Sequence, residues 1–150
     1  MQGKATIAGH PIHPMLIPFP IAFFVGALIS DIISHWGDPV FWPRMSVVLI
    51  GLGIIGALVA ALFGFIDYAT APLSAGAKKT ATTHMALNLI VVVIFAGTFY
   101  LRLENATSTI GYALTVLGVL LLGASGFLGG RLVFEGGVGV KDSSPQSGSY

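Results

Sequence analysis

The side chains with the most chemical potential in this chain are its histidines, and two of them share one short motif, Gly9-His10-Pro11-Ile12-His13-Pro14. Each of these histidines precedes a proline, whose ring disfavours the helical region for the residue before it and pushes both toward extended or polyproline conformation. A polyproline helix has about three residues per turn, so imidazoles at i and i+3 point the same way, roughly 9 Å apart along the axis. Two aligned rings on a stiff rod suit a metal ion or the edge of a haem. The plainer reading gives Pro11, Pro14, Pro18 and Pro20 the role of shaping the way into a first helix and leaves the histidines wetted at a polar edge.

His84 and Asn88 are an i, i+4 pair and share a helix face. Either His84 supplies a ligand or a proton-carrying group that Asn88 orients, or Asn88 bonds to a neighbouring helix on its own account. Asp31, with His35 one turn later, is a proton-relay candidate, although an interfacial charge at a helix end is the favoured reading. Ser30, Ser34, Ser46 and Ser125 lack a base and an orienting group, and neither paired carboxylates nor an HExxH spacing occurs. A hydrolase is not expected, and without a nucleophile or acid/base motif the balance leans away from an enzyme while leaving the question open. With no cysteine, disulfides, thiolate catalysis and iron–sulfur ligation are excluded.

The elements that must position these residues are dictated by composition. Of the 150 residues 55% are hydrophobic and 9% charged, and the mean hydropathy is +0.89. A soluble domain carries about 25% charged residues, so this surface cannot all face water. A net charge of +1 spread over scattered cations excludes a nucleic-acid partner. Spanning a hydrocarbon core needs roughly 20 apolar residues in helix, because lipid offers no partner to open backbone groups. Segments 18–35, 45–66, 82–101 and 110–130 meet or approach that length. Short connections make neighbouring spans antiparallel. The expected fold is all-α: a membrane four-helix bundle of up-down topology over residues 1–140, followed by a disordered Ser/Gly-rich tail, 141–150.

Small residues at helical spacing, among them Ala22, Gly26, Ser30, Gly56, Ala60, Gly64, Gly126 and Gly130, mark faces for helix contacts, within the bundle or with other membrane proteins or a second copy. An even number of spans puts both termini on one side with Lys4, Lys78, Lys79, Arg131 and Lys141, against Arg44 and Arg102 on the other. Cytoplasmic loops hold the excess of Lys and Arg, so both termini are expected in the cytoplasm, with Trp36, Phe41 and Trp42 anchoring the outer interface. His10, His13, Asp67, His84, Asn88, Arg131 and Glu135 then gather on the terminal side. Asp67 and Arg131, each at a helix end there, are expected within reach of each other or of the histidine segment.

Several of these stretches resemble one bacterial membrane family, catalogued as domain of unknown function 2231: His10-Pro11-Ile12-His13-Pro14, Pro18-Phe19-Pro20-Ile21-Ala22, Gly64-Phe65-Ile66-Asp67-Tyr68, His84 with Asn88, and the closing Gly129-Gly130-Arg131-Leu132-Val133-Phe134 and Gly137-Val138-Gly139-Val140. The likeness runs from about Gly9 to Val140. It implies a four-helix protein of the bacterial inner membrane without an established activity, and fusion of some relatives to Rieske-type redox modules implies electron transfer. Relatives often carry a histidine where this chain has Gly136.

The expected function is a haem b- or metal-binding redox component, with His10, His13 and His84 as metal ligands and Asn88 and Asp67 completing the cofactor site. The alternative is a non-catalytic structural or accessory subunit of a larger membrane complex. A proton or solute conduit through Asp31 and Asp67 has less support, because four short helices leave little room for a pore.

Overall fold

The computed structural model describes residues 3–140; the expected disordered tail, 141–150, lies outside the described residues. A small antiparallel hairpin of β1 (Thr6–Ile7) and β2 (His10–Pro11) precedes α1 (Ile12–Leu16) and α2 (Pro18–Ile33), which run on as one span, and then α3 (Phe41–Thr70), α4 (Ala75–Glu104) and α5 (Thr109–Phe134). Among the described residues four helices are long and apolar enough to cross a membrane. Each packs against its sequence neighbours, and α2 returns against α5 to close the ring.

α3 and α4 overrun the apolar runs that announce them, to 30 residues each. At about 1.5 Å per residue that is roughly 45 Å, the thickness of a bilayer with its headgroups. The helices end where side chains take over backbone donors. Ser74 Oγ accepts from Ala77 N, and Ser108 Oγ accepts from Gly111 N. Asp38 Oδ1 accepts from both Val40 N and Phe41 N at the start of α3 (2.9 and 2.7 Å), and these bonds hold its pKa below the ordinary 3.8.

At the centre of the bundle the Phe24 and Phe95 rings stack 3.8 Å apart and nearly parallel, joining α2 to α4 across the bundle. The other two helices make room with glycine. A Cβ at Gly53 would lie 2.5 Å from the Phe24 ring, and one at Gly118 2.7 Å from the Phe95 ring. Of the small residues singled out by spacing, Gly26, Gly56 and Gly64 meet neighbouring helices, whereas Gly126 and Gly130 face open space.

The opening segment departs from expectation. Only His10 and Pro11 are extended; the chain turns helical at Ile12, so His13 is in a helix and the two imidazoles do not share a polyproline rod. Pro14 permits this because it falls in the first turn, where the missing N–H would have had no intrahelical partner. The hairpin is tied to the last turns of α3: Asp67 Oδ1 accepts from Ala5 N (3.1 Å), and Thr70 Oγ1 accepts from Lys4 N (3.0 Å).

Candidate functional site

Two polar layers cross this apolar bundle, one toward each end. The terminal-side layer is built on His13 and His84. His13 Nδ1 lies 2.7 Å from the Ala60 carbonyl oxygen of α3. Because a carbonyl only accepts, Nδ1 carries the proton, and Nε2 is left with a free lone pair. The ring fits over Gly64, where a Cβ would come within 2.9 Å of it.

His84 repeats the arrangement on the opposite pair of helices. Its Nδ1 donates to the Ser125 carbonyl of α5 (2.9 Å), with Ser125 Oγ at 3.1 Å, and Gly129 lies beside the ring. Its Nε2 accepts from Asn88 Nδ2 (3.0 Å), which also donates to the His84 carbonyl (3.0 Å). Asn88 thus bonds within its own helix and orients His84.

Depth brings these parts together. Ala60 lies ten residues before the end of α3, His84 nine after the start of α4, and Ser125 nine before the end of α5. All three are roughly 14 Å in from the terminal face, at about 1.5 Å per residue. Through its bond to Ala60, His13 lies at the same depth as His84. Both are half-buried.

The remaining terminal-side residues are placed elsewhere. His10 is exposed in the hairpin, its Nδ1 3.0 Å from the Ala8 carbonyl. Asp67 anchors that hairpin. Arg131 pairs with Glu135 one turn on (2.8 Å), which holds the Glu135 carboxyl below its ordinary value; among the described residues Asp67 and Arg131 form no ion pair with each other. Among the described residues no three His, Cys, Asp or Glu side chains gather as a metal site. Gly136 sits with its backbone against Leu132: a Cβ there would lie 2.7 Å from the Leu132 carbonyl oxygen. The closing glycine loop reaches back to the opening motif, Gly139 lying against Pro11.

The second layer overturns the reading of Asp31 and Arg102. Arg102 is not a loop cation; its side chain is fully buried and makes a bidentate pair with Asp31, Nη2 to Oδ1 at 2.7 Å and Nη1 to Oδ2 at 2.8 Å. Nη1 also donates to Ser46 Oγ (3.0 Å), Nε donates to the Ala106 carbonyl (2.9 Å), and the Tyr112 ring covers the guanidinium at 4.7 Å. Thr115 Oγ1 lies at 3.4 Å. All four long helices therefore contribute to one buried cluster. The proposed relay to His35 has no carboxylate to work with, because His35 Nδ1 donates to the Asp31 backbone carbonyl (3.0 Å). Antiparallel geometry carried the missing signal: Asp31 and Arg102 each lie two residues from the end of their helix, at one depth. Opposite charges at one membrane depth pair with each other.

A family model described as a predicted membrane protein (DUF2231) matches residues 9–142. No curated protein and no solved structure matches the chain.

Proposed function

We propose that this chain, which belongs to the predicted membrane protein family DUF2231, is a redox component of the bacterial inner membrane that holds haem iron between His13 and His84, with both termini in the cytoplasm. The supporting observation is the matched state of the two imidazoles: each donates Nδ1–H to a backbone carbonyl of a neighbouring helix and turns Nε2 away from it. Ligating histidines are typically oriented in this way, the second nitrogen being fixed by a carbonyl or carboxylate. Two imidazoles suit haem better than a bare ion. A structural zinc site takes four protein ligands, whereas a porphyrin would itself supply most of the iron's ligands and ask few of the protein. His10, exposed in the hairpin, is outside this ligand set. Asn88 covers His84 Nε2 and would have to release it, keeping its bond to the His84 carbonyl, for that atom to serve as a ligand.

The charges support that orientation. With Arg102 withdrawn into the bundle, Arg44 is the loop-side cation opposing Lys4, Lys78, Lys79 and Arg131 among the described residues, which sharpens the positive-inside bias.

The test is reconstitution of the purified protein with haemin. A saturable Soret band is expected for the wild type and for His10→Ala, and weaker binding with a shifted band for His13→Ala and for His84→Ala, each of which keeps one imidazole. Equal binding by all four proteins would refute the assignment. An accessory, non-catalytic role is the second reading, favoured by an interior in which every described buried polar side-chain atom already has a partner.

A further inference from the structure

At the end of the bundle away from His13 and His84, α2 and α5 leave between them a groove of about 390 Å³. Leu28, Ile32, Ala113 and Val116 form its apolar walls, and His35 and Tyr112 line it toward the helix ends. Ile32 and Val116 are 48% and 45% exposed, so the groove opens sideways, toward the bilayer.

Asp31, held by Arg102, and Thr109 also line the groove; of its polar side chains His35 and Tyr112 have capacity to spare. His35 Nδ1 donates to the Asp31 carbonyl, which fixes the ring in the tautomer whose Nε2 is a bare acceptor, and Nε2 has no protein partner among the described residues. The Tyr112 hydroxyl has one long contact, 3.3 Å to Ser34 Oγ, and the Ser34 hydroxyl in turn donates to the Asp31 carbonyl at 2.6 Å. The two rings lie 5.9 Å apart and tilted. Behind them Arg102, the only buried cation among the described residues, is neutralised by Asp31 and covered by Tyr112. A phosphate would therefore find no free positive charge here.

An occupant must be membrane-soluble, uncharged, and able to donate a hydrogen bond to an imidazole nitrogen while exchanging another with a phenol. We infer that this groove binds the ring of a membrane-soluble hydroquinone. One ring hydroxyl donates to His35 Nε2, another ring oxygen meets Tyr112 Oη, and the apolar tail leaves past Ile32 and Val116. The oxidised quinone, which has no hydroxyl to donate to a bare Nε2, binds more weakly. This site is separate from the histidine pair and does not depend on iron there.

The experiment is a titration of the protein in phosphatidylcholine nanodiscs with decylubiquinol and, separately, with decylubiquinone. Binding is read from the fluorescence of Trp36, next to His35 in the chain, and from the ¹⁵N signal of the His35 ring. The expected result is saturable binding that favours the reduced form and weakens about tenfold, the equivalent of one hydrogen bond of about 1.4 kcal/mol, in His35→Leu and in Tyr112→Phe. His84→Ala should bind decylubiquinol as the wild type does, which separates this site from the proposed iron site. Tyr112→Phe keeps the ring over Arg102, so it tests the hydroxyl even if His35→Leu does not fold. Non-saturating signals, binding indifferent to both substitutions, or displacement by phosphatidylglycerol would each overturn the proposal, the last by identifying an ordinary lipid as the occupant.

Discussion

Replacing Arg102 by methionine removes one half of a buried ion pair and leaves the other half in place. The Asp31 carboxylate, 5% exposed as a side chain, takes both of its hydrogen bonds from Arg102. Ser46 Oγ and the Ala106 carbonyl lose a donor as well. Breaking a buried pair from one side costs about 3–5 kcal/mol, because the surviving charge stays desolvated without a partner. At about 1.4 kcal/mol per factor of ten, the unfolding equilibrium should shift by roughly two to three and a half decades. Removing both charges is different in kind: in Asp31→Leu/Arg102→Met no charge remains buried, and such replacements are often neutral or stabilising. The assay is reversible unfolding in mixed micelles followed by far-ultraviolet circular dichroism for the wild type, each single variant and the double. The double variant should be more stable than Arg102→Met alone. A single-variant cost below about 1 kcal/mol, the range of exposed pairs, or a double-variant cost equal to the sum of the singles, would refute the buried pair.

Gly53→Ala should destabilise by about 1–3 kcal/mol in the same assay, because its methyl meets a Phe24 ring already stacked on Phe95; Gly97→Ala, which has open space around it, should show no loss. Asp38 is more acidic when folded than when unfolded, so its contribution is present above the ordinary 3.8 and disappears as pH falls through the lower folded value. Amide exchange at Val40 and Phe41 should therefore quicken below about pH 4 in the wild type and be fast at every pH in Asp38→Ala. Reporter fusions at Tyr150 and in the loop between Trp36 and Trp42 should report cytoplasmic and outer locations respectively; the reverse pair would invert the orientation.

Sequence and structure agree best where the physics is one-dimensional. Apolar runs long enough to span lipid, joined by short connections, leave little choice but an antiparallel helix bundle, and the charges inside it are few enough to place. Partner choice within the bundle was less legible. Arg102 reads as a loop residue because only Leu103 and Glu104 separate it from the end of its helix, and it takes the matching depth of Asp31 on another span to show why it turns inward. Gly53 and Gly118 are unremarkable in sequence, since what they accommodate is a ring from a helix across the bundle. At the candidate site, His84 with Asn88 followed from helical spacing, whereas His13 was read in the wrong conformation. The rule that a residue before proline avoids helix is a local preference. Here the hairpin's bond from Ile12 N to the Ala5 carbonyl and the bond from His13 to Ala60 outweigh it.

The spin state of iron bound to the purified protein tests the proposed ligand pair most directly. Electron paramagnetic resonance of the ferric, haemin-reconstituted wild type should give a low-spin signal from two axial imidazoles, and either His13→Ala or His84→Ala should convert it to high-spin iron with a single imidazole. A high-spin signal in the wild type, or a low-spin signal that survives both substitutions, would contradict the pairing of His13 with His84.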